Sequence, residues 1–304
     1  MDYFRPRHSV LYVPASHARA VEKAARLPAD VLILDLEDAV APAAKSEARE
    51  RACAAVTGMQ GREVVIRINA DGTPWHHDDI AAVAAVPHAK VLIPKVRRAD
   101  DVVAVTERLV QAGMAPHRRL WVMLETPTAI LHASAIASAT TALEGLVLGF
   151  NDLASELRVE AVPGRAPLLY ALAAAVLAAR CADKLIFDGV YTNLSDQGGF
   201  EEECRQARAF GCDGKTLIHP DQIDICHRVF CPTPADVERA QRIVTAFAAA
   251  KAAGQGVTRV DGQMIEQLHA DQAHRMLAQA ATRAKQFSDG MRSSPQSSRG
   301  SQRG

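Results

Sequence analysis

The sequence predicts an α/β protein, a (β/α)8 TIM barrel with extra C-terminal helices, and three observations carry that expectation. Eight short apolar runs recur within roughly the first 220 residues, as many as a barrel of strand-helix repeats requires. Most are continuous in hydrophobicity rather than alternating, as parallel strands covered on both faces are. Between them lie stretches rich in Ala, Leu, Glu and Arg with apolar residues at helical spacing. The rival is an open doubly wound sheet, but no Gly-x-Gly-x-x-Gly turn follows the first run.

In chain order the expected strands are residues 9–13, 31–36, 64–69, 90–95, 120–125, 145–150, 184–188 and 214–219. Residues 18–27, 42–56, 100–113, 127–139 and 168–182 read as helices. After the eighth run the pattern changes. Pro232-Thr233-Pro234-Ala235-Asp236 opens a long helix reaching about residue 253, with Thr233 as N-cap and Pro234 at the first helical position. Residues 254–258 read as a turn, and 264–287 as a second helix with Ile265, Leu268, Met276, Leu277, Ala280, Ala284 and Phe287 on one side. The expected organisation is therefore a catalytic barrel over 1–230, a helical extension over 231–287 and a disordered tail over 288–304, where almost nothing is apolar.

The chain has 304 residues, 48% of them hydrophobic, enough to bury a large core. Its 35 basic and 35 acidic residues balance, so no global attraction to nucleic acid or to an anionic membrane is expected. No uninterrupted apolar run approaches about 20 residues and Met1-Asp2-Tyr3-Phe4-Arg5 is not a secretory start, so the expected localisation is cytoplasmic. Six cysteines without a C-x-x-C pair indicate neither a disulfide framework nor a zinc knuckle.

In a barrel the active site lies at the C-terminal ends of the strands, and polar residues gather there. Asp35-Leu36-Glu37-Asp38, Arg67, Asn69, Lys95, Glu125, Asn151-Asp152, Asp188 and His219 all follow or end apolar runs. Glu125 and Asp152 end neighbouring strands of one strand-helix-strand unit, so both fall on the same face. Two carboxylates at one spot suit a hard divalent cation that leaves its other positions to water and substrate. Alternatively, each simply caps the helix that follows it. Arg67 beside such a pair suits a 2-oxo acid, its guanidinium gripping the carboxylate; the other reading is an ion pair across the barrel mouth to Glu37 or Asp38. Lys95 is expected to neutralise the acidic cluster rather than form a Schiff base, and His219 to be structural. Arg5, Arg7, Arg19 and Lys23 flank the first strand and read as either a phosphate-holding patch or a solvated basic face.

The order Ser9-Val10-Leu11-Tyr12-Val13-Pro14, Leu34-Asp35-Leu36-Glu37-Asp38-Ala39-Val40, Val65-Ile66-Arg67-Ile68-Asn69, Ile93-Pro94-Lys95, Leu124-Glu125-Thr126, Gly149-Phe150-Asn151-Asp152-Leu153 and Gly214-Lys215-Thr216-Leu217-Ile218-His219-Pro220 resembles the citrate lyase beta subunit-like family. That family includes malyl-CoA, methylmalyl-CoA and citramalyl-CoA lyases. The resemblance implies a Mg²⁺-dependent barrel enzyme, with Mn²⁺ able to substitute, that breaks or forms a carbon–carbon bond in a 3-hydroxyacyl-CoA. It implies Glu125 and Asp152 as metal ligands and Arg67 as holder of the oxo acid; Glu37 and Asp38, at the end of the second strand, are expected in the catalytic set. The resemblance also implies a coenzyme A thioester held by Arg5, Arg7, Arg19 and Lys23, and a homo-oligomer, trimer or hexamer, in which the C-terminal segment packs on a neighbour. Here the sequence departs: Glu266 stands where the family has Asp. Malyl-CoA hydrolysis, a free-acid aldolase and a non-catalytic acyl-CoA or oxo-acid binding homologue remain as alternatives.

Overall fold

The computed structural model describes residues 5–59 and 61–292. Two compact units divide the chain, Arg7–Phe230 and a second formed by the few residues before Arg7 together with those from Cys231 onward.

The first unit is a closed barrel of eight parallel strands, each paired with the next in sequence and the eighth with the first. In order they are β1 (Ser9–Pro14), β2 (Val31–Asp35), β3 (Glu63–Arg67), β4 (Lys90–Ile93), β5 (Leu120–Leu124), β6 (Leu143–Leu148), β7 (Leu185–Asp188) and β8 (Gly214–Leu217). The helices between them are α1 (Ala18–Ala24), α2 (Lys45–Gly58), α3 (His76–Ala84), α4 (Ala99–Gln111), α5 (Pro127–Leu131), α6 (Ala133–Ala137), α7 (Phe150–Leu157), α8 (Leu169–Cys181), α9 (Gln197–Phe210) and, after β8, α10 (Gln222–Phe230). The stretch expected as one helix over 127–139 is two short ones meeting at His132. Residues Pro163–Cys181 are long and apolar enough to cross a membrane by composition, yet α8 buries Ala171, Leu172, Ala175, Ala178 and Ala179.

Side chains alternate across each strand, so one set fills the barrel and the other meets the helices. Val10, Val31, Ile33, Val65, Leu92, Trp121, Met123, Val147, Leu185 and Phe187 form the inner core. Trp121 and Phe187 stack with ring centroids 4.5 Å apart, and the space for the indole exists because residue 145 is glycine: a Cβ there would lie 3.2 Å from the ring. The outward set, with Leu34, Ile66, Val91, Val122 and Leu146 among it, packs under the helices.

The second unit holds α11 (Pro234–Ala252), a hairpin of β9 (Thr258–Val260) and β10 (Gln263–Ile265), and α12 (Gln267–Arg292). Thr233 caps α11 as expected, its hydroxyl accepting from Asp236 N–H while the Asp236 carboxylate accepts from Thr233 N–H. The hairpin is a correction to the sequence reading, which ran a helix through Met264 and Ile265. Asp261 (φ 51°) and Gly262 (φ 78°) both occupy left-handed backbone, the requirement of a two-residue hairpin turn that an Asp-Gly pair satisfies. Leu268 is likewise exposed, because α12 turns Ala270 and Ala273 inward, with Met276 and Leu277 packed against the same core. The helix continues to Arg292, past the expected start of the tail at 288. The expectations for residues 293–304, and for the side chains of Ala284 and Phe287, lie outside what is described.

Candidate functional site

Strand alternation decides which polar residues face the barrel mouth. On β2 the inward positions are Val31, Ile33 and Asp35; on β3 they are Val65 and Arg67; on β5 they are Trp121, Met123 and then Glu125. These ends surround a cavity of about 460 Å³ lined by Tyr12, Asp35, Asp38, Arg67, Met123, Gly149, Phe150, Asp152, Val190 and Thr216 among others.

Glu125 is fully buried. Its Oε1 accepts a hydrogen bond of 2.6 Å from Lys95 N–H, whereas Oε2 has no hydrogen-bond partner. The carboxylate reaches this spot because residue 149 is glycine: a Cβ there would stand 2.4 Å from Glu125 Cβ and 2.8 Å from Oε2. Asp152, in the first turn of α7, is 41% exposed and faces the same point. Between the two lies Lys95, its Nζ 2.9 Å from Asp152 Oδ2 and 3.6 Å from Glu125 Oε2. Lys95 adopts φ 54°, left-handed backbone that costs a non-glycine residue on the order of 1 kcal/mol and is retained where surroundings fix it.

The charges show how strained this arrangement is. Burial raises the Glu125 carboxyl above its ordinary range, with Asp152 adding to the rise and Lys95 only partly opposing it. Burial works against Asp152 too, but Lys95, 2.9 Å away, holds it below the ordinary value. For Lys95 burial disfavours the charge, yet Glu125 and Asp152 outweigh it and keep the ammonium protonated. A raised pKa makes Lys95 a poor nucleophile, in keeping with neutralisation rather than Schiff-base chemistry. An orphaned buried carboxylate oxygen, a second carboxylate at the cavity edge and hard oxygen donors fit a divalent cation that takes one or two protein carboxylates. Among the described residues no cluster of three or more His, Cys, Asp or Glu forms a cage, so such an ion would keep most of its positions for water and substrate.

Arg67 answers the alternative left open by its sequence position. Its guanidinium grips Asp35 through two bonds of 2.6 and 2.7 Å, and its Nη1 lies 3.0 Å from Glu37 Oε2 and 3.4 Å from Asp38 Oδ2. The ring of Tyr12 lies under it at 5.0 Å. The ion pair across the mouth therefore exists, with Asp35 as its principal partner. Nη1, held by two looser carboxylate contacts, is the edge turned toward the cavity residues Asp38 and Met123. Asp35 also accepts from the backbone N–H groups of Glu37 and Ala39 at 2.9 and 3.1 Å, which fixes the loop after β2. Burial pushes the Glu37 carboxyl up to about 8, against the pull of Arg67.

Asp35 is the residue that sequence reasoning passed over in favour of Glu37 and Asp38. The signal was present in the period-two alignment of Val31, Ile33 and Asp35. Lys45 was likewise unassigned. Its buried Nζ donates to Leu36 O, Glu37 O and Asn69 Oδ1 at 2.8, 2.9 and 2.6 Å, clamping the same loop from below.

The cations assigned to a phosphate patch do not stay together. Arg7 precedes β1 and so lies at the N-terminal end of the barrel, opposite the mouth. There its Nε donates to both oxygens of Glu63 at 2.7 and 2.8 Å, in a buried network with Lys90 and Glu144. Residues before a strand and residues after it sit at opposite ends, which removes Arg7 from the patch. Arg5 belongs to the second unit. Arg19 and Lys23 are exposed on α1, Arg19 in the first turn after β1 and Lys23 in the last. Glu266, half-buried in the second unit, follows β10, and its N–H donates to His269 Nδ1 at 3.1 Å.

Comparison with known proteins gives this geometry a context. Residues 8–220 match the family model described as HpcH/HpaI aldolase/citrate lyase, and residues 164–285 match one described as a carbon–carbon bond lyase of the TIM-barrel fold. The chain is 44% identical to a (3S)-malyl-CoA thioesterase of Cereibacter sphaeroides, across 90% of this chain and 95% of the relative. It is 35% identical to the citrate lyase subunit beta of Escherichia coli, across 91% and 94%. Among solved structures, the protein CitE of Mycobacterium tuberculosis in complex with magnesium, acetoacetate and coenzyme A superposes with a TM-score of 0.74 at 30% identity, covering 91% of this chain and 99% of that one.

Proposed function

Since this chain belongs to the HpcH/HpaI aldolase/citrate lyase family, we propose that it is a Mg²⁺-dependent carbon–carbon lyase. Its substrate would be a 3-hydroxyacyl-CoA such as malyl-CoA or citramalyl-CoA, cleaved to acetyl-CoA and a 2-oxo acid or formed from them. The observation that carries the reading is the buried Glu125, its Oε2 without a hydrogen bond and 3.6 Å from the Lys95 ammonium, converging with Asp152 at the edge of a cavity that also presents Arg67. The magnesium in the Mycobacterium tuberculosis complex supports assigning that ion to this pair; Mn²⁺ suits the same oxygen donors.

Glu125 and Asp152 would hold Mg²⁺, which would supply positive charge for the substrate oxygen on which charge collects. Arg67 holds the acid's carboxylate and Asp35 holds Arg67 in place. Glu37, whose Oε2 lies 3.0 Å from Arg67 Nη1, is the proposed acceptor of the hydroxyl proton. The electrons of the broken carbon–carbon bond pass to the acetyl-CoA enolate, which takes up one proton at its methyl carbon. We assign that proton to Glu266, donated from a neighbouring subunit of a homo-oligomer, trimer or hexamer; the family resemblance supports this role. Asp38 faces the cavity beside Arg67, 3.4 Å from its Nη1, and is proposed to help orient the guanidinium. With Arg7 removed, Arg19 and Lys23 are the proposed cations for the coenzyme A phosphates.

A second reading, hydrolysis of malyl-CoA, is favoured by the 44% identity to a named (3S)-malyl-CoA thioesterase. The two differ in products. Malyl-CoA given to the purified protein with Mg²⁺ yields glyoxylate and no free thiol if it is a lyase, and free coenzyme A thiol with no glyoxylate if it is a thioesterase. Citramalyl-CoA, with pyruvate as the keto product, widens the test. In either case Glu125→Ala, Asp152→Ala and Arg67→Ala are expected to lose the reaction; turnover at the wild-type rate in Glu125→Ala would remove the metal assignment. Equal mixtures of Glu125→Ala and Glu266→Ala protein are expected to regain activity by subunit exchange if Glu266 is donated across an interface.

A further inference from the structure

Between Arg67 and the carboxylate pair lies a thioether. Met123 is the inward residue of β5 two positions before Glu125 and is 4% exposed. Its Sδ lies 3.7 Å from Arg67 Nη1 and 3.8 Å from the Tyr12 hydroxyl. Its methyl group lies 3.1 Å from the point where a Gly149 Cβ would stand, and that same point is 2.8 Å from Glu125 Oε2. A small acid reaching from the Arg67 guanidinium to Glu125 and Asp152 therefore lies against Met123 and Tyr12.

The cavity's charge pattern points the same way. Among its described lining residues Arg67 is the cation, while Asp35, Asp38 and Asp152 are carboxylates. Arg67 is already engaged by Asp35, and Lys95 by Asp152. A carboxylate at the far end of a dicarboxylic oxo acid would meet the like charges of Asp38 and Asp152 and the apolar groups of Met123, Leu148, Phe150, Val190 and Ile218, with only neutral donors such as Asn151 and Thr216 in the described lining and no second cation there to offset its desolvation.

We propose that Met123 is a specificity-determining residue whose bulk, backed by Tyr12, confines the acid to a small 2-oxo monocarboxylate of the glyoxylate or pyruvate class and turns away longer or dicarboxylic ones. The assignment rests on the oxo-acid reading of the Arg67 pocket and names which acids that pocket takes.

Calorimetric binding of glyoxylate, pyruvate, 2-oxobutyrate and oxaloacetate in the presence of Mg²⁺ tests it, with wild type, Met123→Ala and Met123→Leu compared. Wild type is expected to bind pyruvate at least about tenfold more tightly than 2-oxobutyrate, since one extra methylene against a packed apolar wall changes binding by roughly 10- to 200-fold. Met123→Ala is expected to erase most of that step, and Met123→Leu, of similar volume, to keep it. Oxaloacetate is expected to bind more weakly than pyruvate in all three. Met123→Val stands in if the alanine variant does not fold. An undiminished step in the smaller variant, or oxaloacetate bound by wild type as tightly as pyruvate, overturns the assignment while leaving the oxo-acid pocket intact, provided that Arg67→Ala abolishes binding of every acid. If no acid binds any of these proteins, the oxo-acid pocket itself falls, and Met123's role with it.

Discussion

Gly149 permits the candidate metal site to exist, because any larger residue occupies the position of the Glu125 carboxylate. Gly149→Ala is expected to leave the barrel folded, at an overpacking cost of about 1–3 kcal/mol, while moving Glu125 and weakening Mg²⁺ binding at least tenfold; isothermal titration with Mg²⁺ checks this. Lys45 acts at a distance from any ligand. Its three acceptors, Leu36 O, Glu37 O and Asn69 Oδ1, are all buried, and removing one buried partner costs about 1–3 kcal/mol. Lys45→Met is thus expected to lower stability by at least about 2 kcal/mol and to loosen the loop that carries Glu37 and Asp38. Denaturation midpoints give the first effect, and faster amide hydrogen exchange at Leu36–Asp38 the second. Unchanged exchange there would remove the clamp.

At the level of elements, a strand's alternation and a helix's caps decide where chemistry is placed. The inner faces of β2, β3 and β5 each carry apolar residues up to the mouth and then one charged group, Asp35, Arg67 or Glu125. A shift of one residue in any strand would send that group into the outer core. In the second unit, α11 is set by its capping box. Thr233→Ala removes the hydroxyl that accepts from Asp236 N–H and is expected to cost about 1 kcal/mol. Hydrogen exchange in the first turn of α11 should rise, with the barrel amides unaffected. The hairpin between α11 and α12 was legible in Asp261-Gly262, but the helical spacing of Ile265, Leu268 and Met276 competed with it. Turn chemistry prevailed because Asp261 and Gly262 both take positive φ.

Across the whole molecule, two buried ionic clusters hold the barrel from opposite ends of its strands. Near the mouth Asp188 accepts from Lys215 at 2.6 Å and from Arg165 at 2.7 Å; at the opposite end Glu63 accepts from Arg7 and Lys90. Burial works against ionising either carboxylate, but the paired cations outweigh it and both pKa values fall below the ordinary range. Each group therefore contributes stability that is fully present above the unfolded carboxylate value, about 4, and is lost as pH falls through the lower folded value. Below about pH 5 these two carboxylates bind more protons in the unfolded chain than in the folded one, so their contribution to the melting temperature is expected to fall from about pH 5 to pH 3. Asp188→Asn should flatten that slope while lowering stability at neutral pH, because it leaves Lys215 and Arg165 without their shared carboxylate.

The sequence by itself determined the barrel, since eight apolar runs alternating with helical stretches have few other ways to bury both strand faces. It also placed Asp35, Arg67 and Glu125 at the barrel mouth, because a charged residue ending an apolar strand emerges there. Tertiary structure alone decided which of those charges pair. Arg67 chooses Asp35 over Glu37, Arg7 is spent on Glu63 at the far end, and Glu125 keeps one oxygen without a hydrogen bond. Those choices depend on strand register, on barrel closure and on the space left by Gly149, all of them contacts between residues far apart in sequence that no local pattern encodes.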